Sequence, residues 1–352
     1  MTRSFSINGR AINAQSDPYV IAELSGNHNG SIERAFDIIV AAKNAGADAI
    51  KLQTYTADTL TIDHDGPGFV VDLPLWKNRT LYDLYTEAST PWEWHEALFA
   101  KGAEVGITIF SSPFDRSSLD LLENLNCPAY KIASPELVDI PLIEEVAATG
   151  KPMIMSTGMG SLEEIGEAVD AARHAGCKAL ALLHCVSAYP APPEDACLRN
   201  IQELSLRFDA QSGLSDHTLG SAVAIASSAL GATILEKHFT LLRSDGGVDS
   251  AFSIEPQELQ ELVKDMRAAS KASQSPSAFG PKKSEQQNLV NRRSLYVVKD
   301  IAKGEVFTSE NVRSIRPGHG LKPKHYKSIL GDRAATNIPR GEPLSWDMVE
   351  GA

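Results

Sequence analysis

Short apolar runs rich in Ile, Leu and Val recur along the chain, beginning near Tyr19, Ala49, Ile107, Ala129, Met153, Ala179, Gly213 and Ile234. Between them apolar residues fall at helical spacing, so strand-like and helix-like stretches alternate. The punctuation agrees. Ser161 and Glu164 form a capping box ahead of Ile165, Ala168, Val169 and Ala172, and Thr90, Pro91 and Glu93 repeat that signature. Gly46, Gly106, Gly150, Gly176 and Gly231 each follow a helical pattern and precede a strand, where a left-handed residue is needed. The repeated unit is helix, glycine, strand, which predicts a parallel sheet covered by helices.

An open doubly wound sheet and a closed barrel both satisfy that pattern. In an open sheet functional groups gather at one switch point. Here nearly every strand ends in a polar residue: Glu23, Gln53, Ser112, Ser134, Ser156, His184, His217 and His238. A (β/α)8 TIM barrel, whose active site collects the C-terminal ends of all its strands, accounts for this distribution. One connection is anomalous. Residues Thr56 to Ser89 are long, carry Gly66, Pro67, Gly68 and Pro74 with an aromatic cluster of Trp76, Tyr82 and Tyr85, and read as a lid over the barrel mouth. A helical segment, Pro256 to Ala272, ends the barrel (1–272), a linker follows (273–290), and strand-like pieces such as Ser294 to Val298 mark a small second domain (291–352). The second unit's core is marginal by its size, so docking on a barrel is expected.

Composition narrows the function classes. The 352 residues are 43% hydrophobic without a run long enough for a membrane span. The segment Met1 to Arg10 has no apolar signal core. Cys127, Cys177, Cys185 and Cys197 show no CxxC spacing, which predicts reduced thiols and a cytoplasmic setting. A net charge of -12 argues against nucleic acid or an anionic membrane as partner. It also means that an anionic ligand would need a few specifically placed cations.

Alternation supplies them. If Ile50 and Leu52 pack on helices, Lys51 and Gln53 point into the barrel, and Lys131 does the same between Tyr130 and Ile132. An ammonium facing a packed interior is costly without an anion beside it, so each lysine predicts an anionic ligand. With Ser134, Ser156 and Ser187 nearby in sequence, the set suits a phosphate plus a carboxylate. The plainer reading pairs the lysines with Glu23 or Glu136 as salt bridges. His217 in GLSDHT and His238 in ILEKHF fall at the ends of neighbouring strands, as a divalent-metal pair or as satisfied polar residues. Nitrogen and oxygen donors admit Mn2+, Co2+, Zn2+ or Mg2+. In SGNHNG, Asn27 and His28 either reach a substrate or cap a turn.

The motifs AELSGNHNG, IKLQTYTADTLT, FSSPFD, PAYKIAS, STGM, GLSDHTLG and EKHFT together resemble the sialic acid synthase family, and the C-terminal part with RPGHGL resembles its antifreeze-like SAF domain. Segments Leu75 to His95, Ser134 to Asp139 and Arg243 to Ser253 look most like the branch that makes pseudaminic acid. The resemblance implies condensation of phosphoenolpyruvate with an open-chain 6-deoxy diacetamido sugar, giving the nonulosonic acid and free phosphate. Lys51, Lys131, Ser134, Ser156 and Ser187 would bind phosphoenolpyruvate with Ser112. His217 and His238 would bind the metal. Glu23, Gln53, Glu136, Tyr189 and Asp249 would face the sugar or water. Arg316 would reach an acetamido group in a partner subunit's site, which requires a domain-swapped homodimer. The alternatives are an N-acetylneuraminate or legionaminate synthase, a metal-dependent or Schiff-base pyruvate aldolase, and a sugar- or ice-binding protein.

Overall fold

In the computed structural model, which describes residues 4–72, 75–275 and 278–352, the chain divides into two compact units, Met1–Pro276 and Ser277–Ala352. The first opens with a hairpin, β1 (Phe5–Ile7) and β2 (Arg10–Ile12), turned by Asn8 and Gly9, both at positive φ as the tight turn requires. Ile7 and Ile12 are buried in the barrel core beside Tyr19, each contributing roughly 1.5–3 kcal/mol.

Eight parallel strands follow: β3 (Tyr19–Glu23), β4 (Ala49–Thr54), β5 (Thr108–Pro113), β6 (Tyr130–Ile132), β7 (Met153–Ser156), β8 (Leu180–Cys185), β9 (Gln211–Asp216) and β10 (Ile234–His238). They form a closed barrel in which β10 pairs with both β9 and β3. The helices are α1 (Ile32–Ala45), α2 (Ala57–Leu60), α3 (Leu81–Ala88), α4 (His95–Val105), α5 (Arg116–Asn124), α6 (Ile140–Ala148), α7 (Leu162–His174), α8 (Asn200–Phe208), α9 (Ala222–Ala229) and α10 (Pro256–Gln274). The five strand-preceding glycines all adopt positive φ, and the Ser161–Glu164 capping box is made in both directions. Thr90 caps nothing: its hydroxyl is buried without a partner, and a 3-10 turn at Trp92–Trp94 leads into α4 instead.

Alternation sorts the strand residues as expected. Val20, Ala22, Ile50, Leu52 and Leu235 pack outward with α1 and α10 residues. Ile21, Phe110, Ile154, Leu183 and Ile234, of the opposite parity, belong to a second cluster that also takes in residues of α5, α6 and α7. Residues 57–72 and 75–88 form a strap across one connection. Its α3 is capped by Thr80, its Trp76 indole donates to Val248 O at 2.8 Å, and Val71, Leu84 and Val248 make a small apolar cluster. Pro74 lies outside the described residues. Tyr82 faces Asp58, while Trp76 and Tyr85 face a cavity.

The helix ending the barrel runs to Gln274, two residues beyond the predicted end, and part of the expected linker is ordered as a 3-10 turn, Lys283–Asn291. In the second unit β11 (Ser294–Val297) pairs antiparallel with β12 (Val312–Ile315), followed by α11 (Tyr326–Ile329). Its own core is built on Leu295, Val297, Ile301, Phe307, Val312 and Leu344.

Candidate functional site

Four charged side chains meet inside the barrel. Lys51 Nζ lies 3.0 Å from Glu23 and 3.2 Å from Glu236, and Lys131 Nζ lies 3.9 Å from Glu236. All four are buried. Lys51 therefore has two carboxylates and a 3.5 Å contact with Ser112 Oγ. Among the described residues Lys131 has only the distant Glu236 and the carbonyl of its neighbour Ile132, at 2.9 Å. Glu136, expected as a possible partner, makes no ion pair among the described residues; its Oε2 is buried without a hydrogen bond.

Glu236 was missed from sequence, although the alternation that turns His238 inward also turns Glu236 inward, two residues earlier. Its role is to hold the lysines together: Ser215 Oγ donates to it at 3.2 Å, and Lys131 and Lys51 outweigh burial to hold its carboxyl below the usual range. Burial acts the other way on its neighbours. It lifts Glu23 despite Lys51, and it brings Lys131 down to about 8 despite Glu236. Lys51 stays charged because Glu23 and Glu236 outweigh its own burial.

Beyond Lys131 lies a group of hydroxyls. Ser156 Oγ is buried and without a partner. Gly158 N donates to Ser134 Oγ at 3.1 Å, and a Cβ on Gly158 would stand 2.7 Å from Ser134 Oγ and 2.4 Å from Ser187 Oγ. Only glycine lets the backbone approach both hydroxyls this closely. Ser134 and Ser187 lie two residues beyond the ends of β6 and β8.

His217 and His238 stand side by side, ring centroids 5.4 Å apart, with Tyr189 packed at a tilt against His217, centroids 4.3 Å apart. Val186 O accepts from His217 Nδ1 at 2.9 Å, leaving Nε2 its lone pair, the orientation usual for a metal-binding imidazole. His238 Nδ1 is buried with no partner, and burial reinforced by His217 and Lys51 keeps this ring neutral. Two imidazole nitrogens fit a divalent ion, although Cys185 and Val186 O raise the pKa of His217 against its burial, so that ring would release its proton on binding one. Among the described residues no group of three or more His, Cys, Asp or Glu is placed to hold one, so water and substrate oxygens would complete its shell. On the outer face Lys237 bonds Asp216 at 2.7 Å and Thr218 O at 2.6 Å, locking together the two strand ends that carry the histidines. His184 also faces outward, its Nε2 against Ala196 O at 2.8 Å, a satisfied core histidine.

A cavity of about 320 Å³ adjoins this group, bounded by Gln53, Glu136, Tyr189, His238 and Asp249 on one side and by strap residues on the other. Gln53 Nε2 donates to Glu23 at 2.8 Å and to Ser25 at 3.3 Å, and Ser25 in turn bonds Asp249. Burial raises the carboxyl pKa of both Glu136 and Asp249. Asn27 and His28 are not brought here. Asn27 donates to Phe239 O and Ser253, and His28 accepts from Gly30 N and packs on Trp94 beside a separate cavity. Arg316 is exposed in the second unit.

Comparison with known proteins matches residues 38–277 to the NeuB family and 292–350 to the SAF domain. A pseudaminic acid synthase from Helicobacter pylori is 43% identical over 95% of this chain and 98% of its own length. An N,N'-diacetyllegionaminic acid synthase from Legionella pneumophila is 34% identical over 94% of each. Among solved structures, an N-acetylneuraminic acid synthetase from Leptospira borgpetersenii superposes with a TM-score of 0.73 at 31% identity, covering 82% of this chain and 96% of that one.

Proposed function

We propose a reaction for a chain that belongs to the NeuB family and carries a SAF domain: pseudaminic acid synthase activity, the condensation of phosphoenolpyruvate with 2,4-diacetamido-2,4,6-trideoxy-L-altrose and water to give pseudaminic acid and phosphate. The observation that carries it is the under-paired Lys131 beside the unpartnered Ser156 hydroxyl and the Gly158 cradle, next to two histidines. A small dianion supplies what these groups lack, so Lys51, Lys131, Ser112, Ser134, Ser156 and Ser187 take the phosphate and carboxylate of phosphoenolpyruvate.

The sugar enters as its open-chain aldehyde, held by Gln53, Tyr189 and Asp249 along the adjoining cavity. The enol carbon of phosphoenolpyruvate attacks the aldehyde carbon, a carbon–carbon bond forms, and positive charge develops at C2. Water adds there and phosphate departs with C–O cleavage. Glu23, raised to about 7 by burial, is matched to accept the water proton near neutrality, and Glu136, also raised by burial, is the second carboxylate that could take it. A divalent ion, Mn2+, Mg2+ or Co2+, held by His217 and His238, would polarise the aldehyde. Lys51 bonded to two carboxylates is poorly disposed as a Schiff-base nucleophile, so the aldolase reading rests on Lys131, brought down to about 8 by burial, and pyruvate-dependent borohydride trapping at Lys131 would favour it.

The proposal extends to a domain-swapped homodimer in which Arg316 serves the neighbouring site, and to a cytoplasmic setting, in keeping with four free cysteines and with no described helix long and apolar enough to cross a membrane. Phosphate release measured with this sugar, with N-acetylmannosamine and with the legionaminate precursor tests the activity. Turnover of the altrose sugar alone, abolished by EDTA and restored by Mn2+, is expected. Turnover of N-acetylmannosamine alone would overturn it.

A further inference from the structure

One buried histidine has no part in the reaction as described. His95 opens α4, is fully enclosed, and bridges that helix to β4, where Leu52 and the helix residue Leu98 belong to one apolar cluster. Its ring is not idle. Nδ1 lies 3.2 Å from Pro91 O and Nε2 lies 2.8 Å from Thr54 Oγ1, which in turn lies 2.6 Å from Ser111 Oγ. Thr54 and Ser111 are equally buried.

The direction of this chain follows from its carbonyl end. Pro91 O can only accept, so Nδ1 carries the ring's hydrogen, and burial, outweighing Pro91, Trp92 and Glu93, holds the pKa of the ring below its ordinary value and keeps it neutral. Nε2 is left with a lone pair, Thr54 donates to it, and the single hydrogen of Ser111 goes to Thr54. Thr54 and Ser111 are the outward neighbours of Gln53 and Ser112, which stand opposite one another in the β4 and β5 register. Thr54 itself stands opposite Pro113, which has no N–H to offer the ladder. Where the ladder loses a donor, the side chains tie the two strand ends together and, through Pro91, to the segment leaving the strap.

We propose that His95 is a positioning residue for phosphoenolpyruvate: by closing this chain it fixes the ends of β4 and β5 and so holds Ser112 Oγ at its place 3.5 Å from Lys51 Nζ. The inference rests on the condensation reading above, which gives Ser112 to phosphoenolpyruvate, and adds to it a residue outside the substrate cavity. Cutting the chain leaves a buried hydroxyl hydrogen without an acceptor, and the strand ends shift until it finds one. Ser112 moves with them.

The test is steady-state phosphate release from phosphoenolpyruvate and the altrose sugar by the full chain. His95→Phe, which keeps a ring but no nitrogen, should raise the KM for phosphoenolpyruvate about tenfold, the worth of one hydrogen bond from Ser112, with kcat little changed. His95→Gln, whose amide oxygen accepts from Thr54 in place of Nε2, should recover most of that loss. Thr54→Val should raise the KM as His95→Phe does, Thr54→Ser should not, and the double variant of His95→Phe with Thr54→Val should be no worse than either alone, since each cuts the same chain. The two Thr54 variants decide the question by themselves if His95→Phe does not fold. A wild-type KM in His95→Phe and Thr54→Val alongside lowered melting temperatures makes the chain purely structural and overturns the inference, with the reaction standing. Additive effects in the double variant overturn it as well. No phosphate release by wild type overturns the condensation reading, and this inference with it.

Discussion

Replacing Lys131 by methionine should make the protein more stable and inactive. The side chain is buried and, among the described residues, its ammonium has one ion pair, at 3.9 Å. Burial, partly offset by Glu236, brings its pKa from 10.5 to about 8. At ~1.4 kcal/mol per unit, the folded protein carries on the order of 3 kcal/mol against itself by keeping that group protonated at pH 7. Methionine fills a similar volume without charge. For a unit of roughly 280 residues, with an unfolding entropy of about 2 cal/mol/K per residue, the gain corresponds to about 5 °C in melting temperature. The sign with pH follows from proton counting. Between about pH 8 and 10.5 the unfolded chain holds a proton the folded one has released, so wild-type stability rises with pH in that window. The advantage of Lys131→Met should be full below pH 8 and vanish toward pH 10.5. Calorimetry at several pH values, with and without phosphoenolpyruvate, measures both. The ligand should stabilise wild type and leave the variant unmoved. A variant less stable than wild type at pH 7, or a difference flat with pH, would refute the claim that the site holds an under-compensated cation.

Gly158→Ala should keep the fold and raise the KM for phosphoenolpyruvate by about 100-fold, because the new methyl stands 2.7 Å from Ser134 Oγ and 2.4 Å from Ser187 Oγ and displaces both hydroxyls by about an ångström; an unchanged KM in steady-state assays would remove the cradle from the site. Lys237→Met should destabilise by about 3–5 kcal/mol, since it leaves Asp216 buried without its cation. Urea titration reads that loss, and a change within 1 kcal/mol would mean that the pair does not fasten β9 to β10.

The barrel and most of its inward polar residues were legible because a strand's period is two and each strand ends at the functional face. Lys51, Lys131, Glu23, Ser156 and His238 all follow from that rule. What escaped it has physical reasons. Glu236 was overlooked between two more conspicuous residues, although its parity matches His238. The Asn8–Gly9 hairpin lies in a stretch read only for targeting signals, yet its dipeptide is the turn's own signature. Asn27 and His28 sit in a 3-10 turn after β3, where alternation no longer says which way a side chain points. The small apolar cluster of the strap depends on residues 71, 84 and 248, brought together by folding from two distant connections, and no local pattern announces such a meeting.

The barrel closes by joining its first strand to its last: Glu23 stands opposite Lys51 on one side and His238 on the other. During synthesis, therefore, both lysines emerge long before Glu236 does, and a chain halted short of residue 236 carries two ammoniums that only one strand-borne carboxylate, Glu23, can answer. Completing the barrel and balancing its interior charge are one event, so a fragment that lacks β10 is left without Glu236, one of two interior counter-ions, as well as with an open edge.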